Sequence, residues 1–449
     1  MAKQKKTSVG KTILISIVSI ILGILIGFVA GSVFAPTDLD FYLVGDDTVS
    51  VAIGNKYTEE GFVCTYRGKD YSDAVVISYS TSDLYECSHI STDAVETYFV
   101  TYSIINEKFS SKLTRVVNVV EYDDLEINFM TLGNAFSGDS IYIKAGETDI
   151  LVDAGSREES ATAIKDYIFD SESDLHSYVS DNKLEYVIAT HADQDHIAAF
   201  VGSKGILTDN NIEIDNIITF AKSNKTTKVY NNFKNAVEAR KASGTKVYTA
   251  LDCYNNVNGA SRIIQVAAGI EIEILYNYFY DHDCPDNENN YSVCFMLRRG
   301  EEQYLFTGDL ENEDGNAEDK LVENNDLGEV YLYKMGHHGS KTSSSMNLLN
   351  EIKPKVVVAT CVAFSTEYTK NMDNTFPTKI AVDNINSLGT VEHFYVTSMV
   401  KNNEAGFEDA NGNIVVKANS NGTYVECSNS NEDFYNFDIF KQYRSWTTN

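Results

Sequence analysis

Residues 187–200 read VIATHADQDHIAAF. The apolar run Val187 to Ala189 reads as a buried strand. Directly after it come His191, Asp193, Asp195 and His196, four potential metal ligands within six positions. Open α/β sheets bind their ligands beyond the C-terminal ends of their strands, so this order of strand and cluster predicts a site at a sheet edge. Two imidazoles with two carboxylates suit Zn²⁺, Mn²⁺ or Fe²⁺ and differ from the Cys-rich sets of structural zinc sites, which favours catalysis over scaffolding. A blander reading makes Asp195 the cap of a helix beginning near Ile197, but a cap needs one such side chain and not four.

Two distant segments repeat the arrangement. QYLFTGDLE, residues 303–311, sets Asp309 after an apolar strand and a glycine, and VYLYKMGHHGSKTSSS, residues 330–345, does the same for His337 and His338. With three strand ends carrying ligands, the chain resembles the metallo-β-lactamase superfamily. Within it the chain resembles the hydrolase domain of ComEC-type competence proteins, whose pattern joins HxDxDH, TGD and HHGSKTS. The resemblance runs from Asp124 to Cys427. Residues 129–155, FMTLGNAFSGDSIYIKAGETDILVDAG, resemble the opening hairpin, with Asp139 and Asp153 in its turns, and NNYSVCFML, residues 289–297, resembles the strand before TGD.

The resemblance implies an α/β fold, a four-layer αββα sandwich with metals in a cleft at the sheet edges. It implies that His191 and Asp193 bind one ion, that Asp195 and His196 face a second, that Asp309 bridges, and that His337 completes the second site. His338 is then a neighbouring or substrate-contacting residue, and the catalytic set is Asp195, Asp309 and His338. The sequence departs from the broad superfamily twice. Asp193 stands where a histidine is usual, and the intermediate histidine is replaced by Asn289 or Asn290, with His282 as a possible substitute nitrogen or a solvated surface residue. The first site is the weaker for both reasons.

One or two divalent ions, Zn or Mn, fit this donor set. Such an ion lowers the pKa of bound water from about 15.7 towards roughly 7, so attack by a metal-bound hydroxide is the expected chemistry and hydrolysis the expected reaction. Ser340, Lys341, Thr342 and Ser343 form a donor-rich loop suited to an oxyanion or phosphate. They also read as a polar helix start, with Ser343 to Ser345 as caps, and the two readings are compatible.

Composition sets the context. The chain has 449 residues, 43% of them hydrophobic, enough for two or three domains with their own cores. Its formal net charge of −29 disfavours a general nucleic-acid surface, because such affinity rests on Lys and Arg neutralising phosphates. Residues 1–35 stand apart: Lys3, Lys5, Lys6 and Lys11 precede or open an uncharged apolar run long enough, at ~20 residues, to cross a bilayer. This predicts a cytoplasmic flank, a single-pass anchor and an extracellular C-terminal body; a cleavable signal peptide is the rival reading.

Residues 38–121 alternate apolar and polar positions in short β-rich runs and read as a small β-sandwich resembling bacterial immunoglobulin-like domains, a spacer or adhesive module. Residues 124–428 form the predicted hydrolase domain and residues 429–449 an aromatic, acidic tail that docks on it. The seven cysteines include no CxxC pair; Cys64 and Cys87 are either a disulfide or two free thiols. Two function classes follow. One is a membrane-anchored extracellular phosphodiesterase acting on nucleic acid or a phosphorylated envelope component. The other is a non-enzymatic surface binding protein that uses the hydrolase fold as a scaffold. The many membrane spans of a ComEC channel are absent from this sequence.

Overall fold

The structure, a computed structural model, describes residues 38–169, 175–284, 286–402 and 405–447. The predicted anchor at residues 1–35 lies outside these. Among the described residues no helix is long and apolar enough to cross a membrane. The chain divides into two compact units, Met1–Glu121 and Tyr122–Asn449.

The first unit is all β in its described part. Its centre is the hairpin Glu96–Ile105 and Ser110–Val120, in which alternate residues are buried, as the period of two of a one-sided strand requires. Tyr98, Val100, Tyr102, Val117 and Val119 form its core, joined by Phe41 and Phe62 from a separate three-stranded sheet. Two sheets thus share one small core. Cys64 and Cys87 are free thiols.

The second unit holds two eight-stranded mixed sheets. In the first, Thr148–Val152, Lys183–Ile188, Glu213–Thr219 and Lys246–Thr249 run parallel, and the hairpin Ile141–Ala145 with Thr148–Val152 opens the sheet. The Asn/Gly-punctuated segment 411–427 forms the expected hairpin, Ile414–Asn419 with Gly422–Cys427, on the far edge. In the second sheet, Glu302–Phe306, Leu332–Lys334, Val356–Ala363 and His393–Val400 run parallel.

The strand Val356–Ala363 is buried along its whole length, so its sequence is a near-continuous apolar run. Val356 and Val358 enter the core shared by the two sheets, whereas Val357 and Ala359 pack against the helices Met346–Ile352 and Lys379–Leu388 outside. Phe129 of one sheet meets Phe306 of the other with ring centroids 6.3 Å apart. On the outer face of the first sheet, helices Ser160–Phe169 and Lys228–Ala242 bury Ile164, Ile168, Phe233 and Val237. Helix, sheet, sheet and helix are therefore stacked in four layers.

The C-terminal segment is held to the outer core by Phe434, Ile439 and Phe440. Arg444, 6% exposed, donates to the carbonyls of Met372, Thr375 and Pro377. It thereby fixes the loop that carries Phe376 over His337 and His338, at centroid distances of 5.6 and 5.8 Å.

Candidate metal centre

Parallel strands deliver the polar residues to one edge. Asp153 follows Val152, His191 lies just beyond Ile188, Asp309 beyond Phe306 and His338 beyond Lys334, all at C-terminal strand ends. After Asp193 a short helix, Gln194–Ile197, turns Asp195 and His196 inward together. Gly155 permits this approach, since a Cβ there would stand 1.5 Å from the Asp195 carbonyl oxygen.

One ligand atom each from Asp195, His196, Asp309 and His338 lies within 4.8 Å of the others. His196 Nε2 is 3.0 Å and His338 Nε2 3.3 Å from Asp309 Oδ2, and His338 Nε2 is 3.4 Å from Asp195 Oδ2. These contacts are close in distance but miss hydrogen-bond geometry: the buried Nε2 atoms of His191, His196 and His338 have no hydrogen-bond partner. A single buried orphan of this kind costs about 1–3 kcal/mol, and those of His196 and His338, set beside Asp195 and Asp309, make a donor set that a divalent cation satisfies.

The opposite ring nitrogens explain the aim. His196 Nδ1 donates to Asp153 at 2.7 Å, and His338 Nδ1 donates to the Thr360 carbonyl at 2.8 Å with Asp139 at 3.2 Å. Asp153 also accepts from the Thr190 amide and hydroxyl, at 2.7 and 2.6 Å. A carboxylate or carbonyl behind each imidazole fixes its orientation and frees Nε2 towards an ion. Asp139 and Asp153, which the sequence places in turns of the opening hairpin, thus act behind the ligands.

Electrostatics follow from the crowding. For His338, burial opposes the charged form, but Asp309, Asp139 and Asp195 outweigh it and push the imidazole up to about 10. His196 is likewise raised, against its burial, by Asp309, Asp153 and Asp139. His191, buried and beside His196, is pushed down to about 3. Burial resists ionisation of Asp195 and Asp309, yet the facing imidazoles hold both carboxyls below their usual range. The cluster is thus balanced between its own acids and bases, with His191 a neutral donor.

Several sequence expectations need correction. His337 does not complete the cluster: its Nδ1 donates to Glu311 at 2.5 Å and its side chain is 24% exposed, while the fully buried His338 takes the inward place. Both residues sit in left-handed backbone, φ 44° and 54°, and the tight turn sends adjacent side chains in different directions. Asp193 lies 3.9 Å from His191 Nε2 and is ion-paired with Lys225, outside the four-residue cluster.

The replacement nitrogens also stay away. His282 is stacked on Tyr278 at 3.7 Å and bonded to Asp281. Asn289 faces His337 at 3.4 Å, and buried Asn290 donates to the Glu313 carbonyl. Of the loop donors, Ser340 and Lys341 line a cleft, but Thr342 donates to Glu311 and buried Ser343 to the Leu310 carbonyl. Ser345 N-caps the following helix, accepting from Leu348, and Asp195 lies inside its short helix rather than capping one.

Lys334 and Glu318 escaped sequence reasoning. Lys334, 1% exposed, contacts Asp139 and lies 3.4 Å from Asp309 Oδ1. Its signal was available: it shares strand parity with Leu332, which faces the shared core, so a lysine there needs buried carboxylates. Glu318, fully buried, accepts from the Ser344 and Ser345 amides at 2.7 Å each and anchors the histidine loop from a helix nearly 20 positions before it, a contact with no local signature.

Over the cluster opens a cleft of about 590 Å³ lined by Arg157, Asp193, Asp195, His337, Lys341 and Tyr368 among others. A slightly larger cavity, about 680 Å³, lies along residues 210–216 and 240–246 and includes none of the ligand residues. Arg157 stacks over Phe136 at 3.8 Å and pairs with Glu367 at 3.3 Å, while Lys341 is exposed.

Comparison with known proteins agrees with this geometry. Residues 133–228 match the family model of the Metallo-beta-lactamase superfamily, a span that holds Asp139, Asp153 and the whole HADQDH loop. Over 71 residues, 16% of this chain, the sequence is 34% identical to Recombination protein 2 of Haemophilus influenzae. Over 183 residues, 39% of this chain, it is 27% identical to ComE operon protein 3 of Bacillus subtilis. The aligned parts span only 8% and 20% of those two relatives. CmlA, a diiron beta-hydroxylase from Streptomyces venezuelae, is 15% identical over 54% of this chain and 45% of its own, with a TM-score of 0.31, too slight a likeness to carry an argument. The ligand loop at residues 191–196 lies within the matched span, so residues 133–228 are a metallo-β-lactamase superfamily match in a chain that is ComEC-like where it aligns with those relatives.

Proposed function

We propose that this protein is a membrane-anchored, extracellular, metal-dependent hydrolase of phosphodiesters. One observation carries the reading: the orphaned Nε2 atoms of His196 and His338 meet the carboxylates of Asp195 and Asp309, and Asp195 also lines a cleft that Lys341 and Arg157 share. A divalent ion, Zn²⁺ or Mn²⁺, held by Asp195, His196, Asp309 and His338 supplies Lewis-acid chemistry and acidifies water. The chain's own part is positional. Asp153, Asp139 and Thr360 fix the imidazoles, while Ser340 and Lys341 are placed to receive an anionic oxygen.

The anchor rests on the basic flank and apolar run of residues 1–35, and the all-β unit serves in this reading as an immunoglobulin-like spacer or adhesive module. The relatives named for recombination and for the ComE operon support nucleic acid as one diester, yet a net charge of −29 works against long polyanions, so short diesters are the favoured substrates.

The test compares bis-p-nitrophenyl phosphate with single-stranded DNA, in Mn²⁺ and in Zn²⁺, using the wild type and a His196→Ala/His338→Ala double variant. Metal-dependent cleavage of the small diester, lost in the variant, is expected. Rapid degradation of DNA beside an inert small diester reverses the substrate order, and inactivity of the metal-loaded wild type on both favours the surface-binding alternative. Protease treatment of intact cells checks topology, with degradation of the hydrolase unit expected.

A further inference from the structure

We infer that the centre is built for one tightly held ion, with two lysine ammonium groups occupying the carboxylates that a second ion would require. The inference rests on the metal reading above and deepens it.

The donors divide unevenly. On one side, Asp195, His196, Asp309 and His338 offer four atoms within 4.8 Å, enough for a divalent cation. On the other, among the described residues, His191 alone offers an orphaned imidazole nitrogen. Its nearest carboxylate, Asp193, is bound through Oδ1 to Lys225, and its Oδ2 stands 3.9 Å from His191 Nε2. Among the described residues the candidate third donors are committed elsewhere: His282 is held by Tyr278 and Asp281, Asn289 faces His337, Asn290 is bonded to the Glu313 carbonyl, and Glu288 accepts from the Ala192 and Asn224 amides.

Bridging is obstructed as well. Asp309 turns Oδ2 to His196 and His338, and its Oδ1 lies 3.4 Å from the Lys334 ammonium. Lys334 is a buried component of the fold, whereas Lys225 is 29% exposed and pairs with Asp193, which lines the cleft. An ammonium already paired with Asp193 supplies positive charge there without coordination, so it can attract a phosphoryl oxygen while keeping a second cation out. Lys225 is therefore the residue that sets ion number, and Lys334 the residue that keeps Asp309 from bridging.

Native mass spectrometry of the full chain after dialysis against Mn²⁺ or Zn²⁺ reads the ion count without relying on turnover. The wild type should hold one ion, and His338→Ala none. Lys225→Met should admit a second, weaker ion through the released Asp193, and Asp193→Asn added to Lys225→Met should return the count to one. Circular dichroism confirms that each variant is folded. Two ions of comparable affinity in the wild type, or a folded Lys225→Met that still holds only one, overturn the inference and leave the metal hydrolase standing. A wild type that binds no ion overturns both.

Discussion

The loop after Lys183–Ile188 and the loop after Leu332–Lys334 both bring histidine to the same cluster, by opposite backbone means. In the first, a short right-handed helix carries Asp195 and His196, and both neighbours face inward. In the second, His337 and His338 take left-handed φ values, and only His338 faces inward while His337 turns to Glu311. A helical turn groups adjacent residues; a left-handed pair separates them. The identity of the inward histidine is thus a property of the turn and not of the HH dipeptide.

The largest expected effect is at the residue that both loops share. Asp309→Ala should bring diesterase activity to background and remove the tight ion, because its Oδ2 lies 3.0 Å from His196 Nε2 and 3.3 Å from His338 Nε2. Metal content and bis-p-nitrophenyl phosphate turnover measured on the folded variant check this; normal turnover would show that Asp309 is no ligand. The histidine pair breaks the comparison most directly. His338→Ala should lose the ion, whereas His337→Ala should keep it and lose on the order of 1 kcal/mol of stability with the Glu311 hydrogen bond. Calorimetric metal titration that ranks the two variants the other way would refute the turn argument.

A pH effect separates the loops next. Burial without a cationic partner pushes the Glu318 carboxyl from 4.5 up to about 7, against the Ser344 and Ser345 amides that favour its charge. The folded state then keeps a proton that the unfolded state releases near 4.5, so this group subtracts stability as pH rises from about 4.5 to about 7, and the loss is complete above that window. The difference amounts to about 3 kcal/mol. Urea midpoints for wild type and Glu318→Gln at pH 5 and pH 8, with metal chelated, should diverge by an amount of that order; parallel pH profiles would deny the shift. The smallest effect belongs to the helix that closes this loop: Ser345→Ala removes a cap accepting from Leu348 and should cost about 1 kcal/mol in thermal unfolding, with ion affinity little changed.

Much of the site was legible because metal donors at strand ends violate the apolar period so sharply. Val187 to Ala189 followed by four donors, or QYLF followed by Asp309, marks both the strand and its functional end. The donor-rich reading of HHGSKTS was legible only in part. Ser340 and Lys341 face the cleft, but Thr342 and Ser343 are spent on Glu311 and the Leu310 carbonyl, partners more than 30 positions away. Lys334 could have been read from strand parity. Lys225 could not, since nothing around it in sequence marks a partner 32 positions earlier.

The sequence by itself determined the alternation of helices and strands and the strand ends that bear ligands, because strand periodicity and turn residues are local, whereas the four layers were implied by the family resemblance. The same resemblance implied that Asp195, His196 and Asp309 belong to one chemistry. Only the tertiary structure decided that His338 and not His337 faces the cluster, that Asp193 belongs to Lys225, and that Lys334 shares Asp309 with the imidazoles. Those choices depend on left-handed turns and on charges brought together across two sheets. The energy of a buried carboxylate is set by whichever opposite charge the fold places within a few ångströms, and distance along the chain does not enter it.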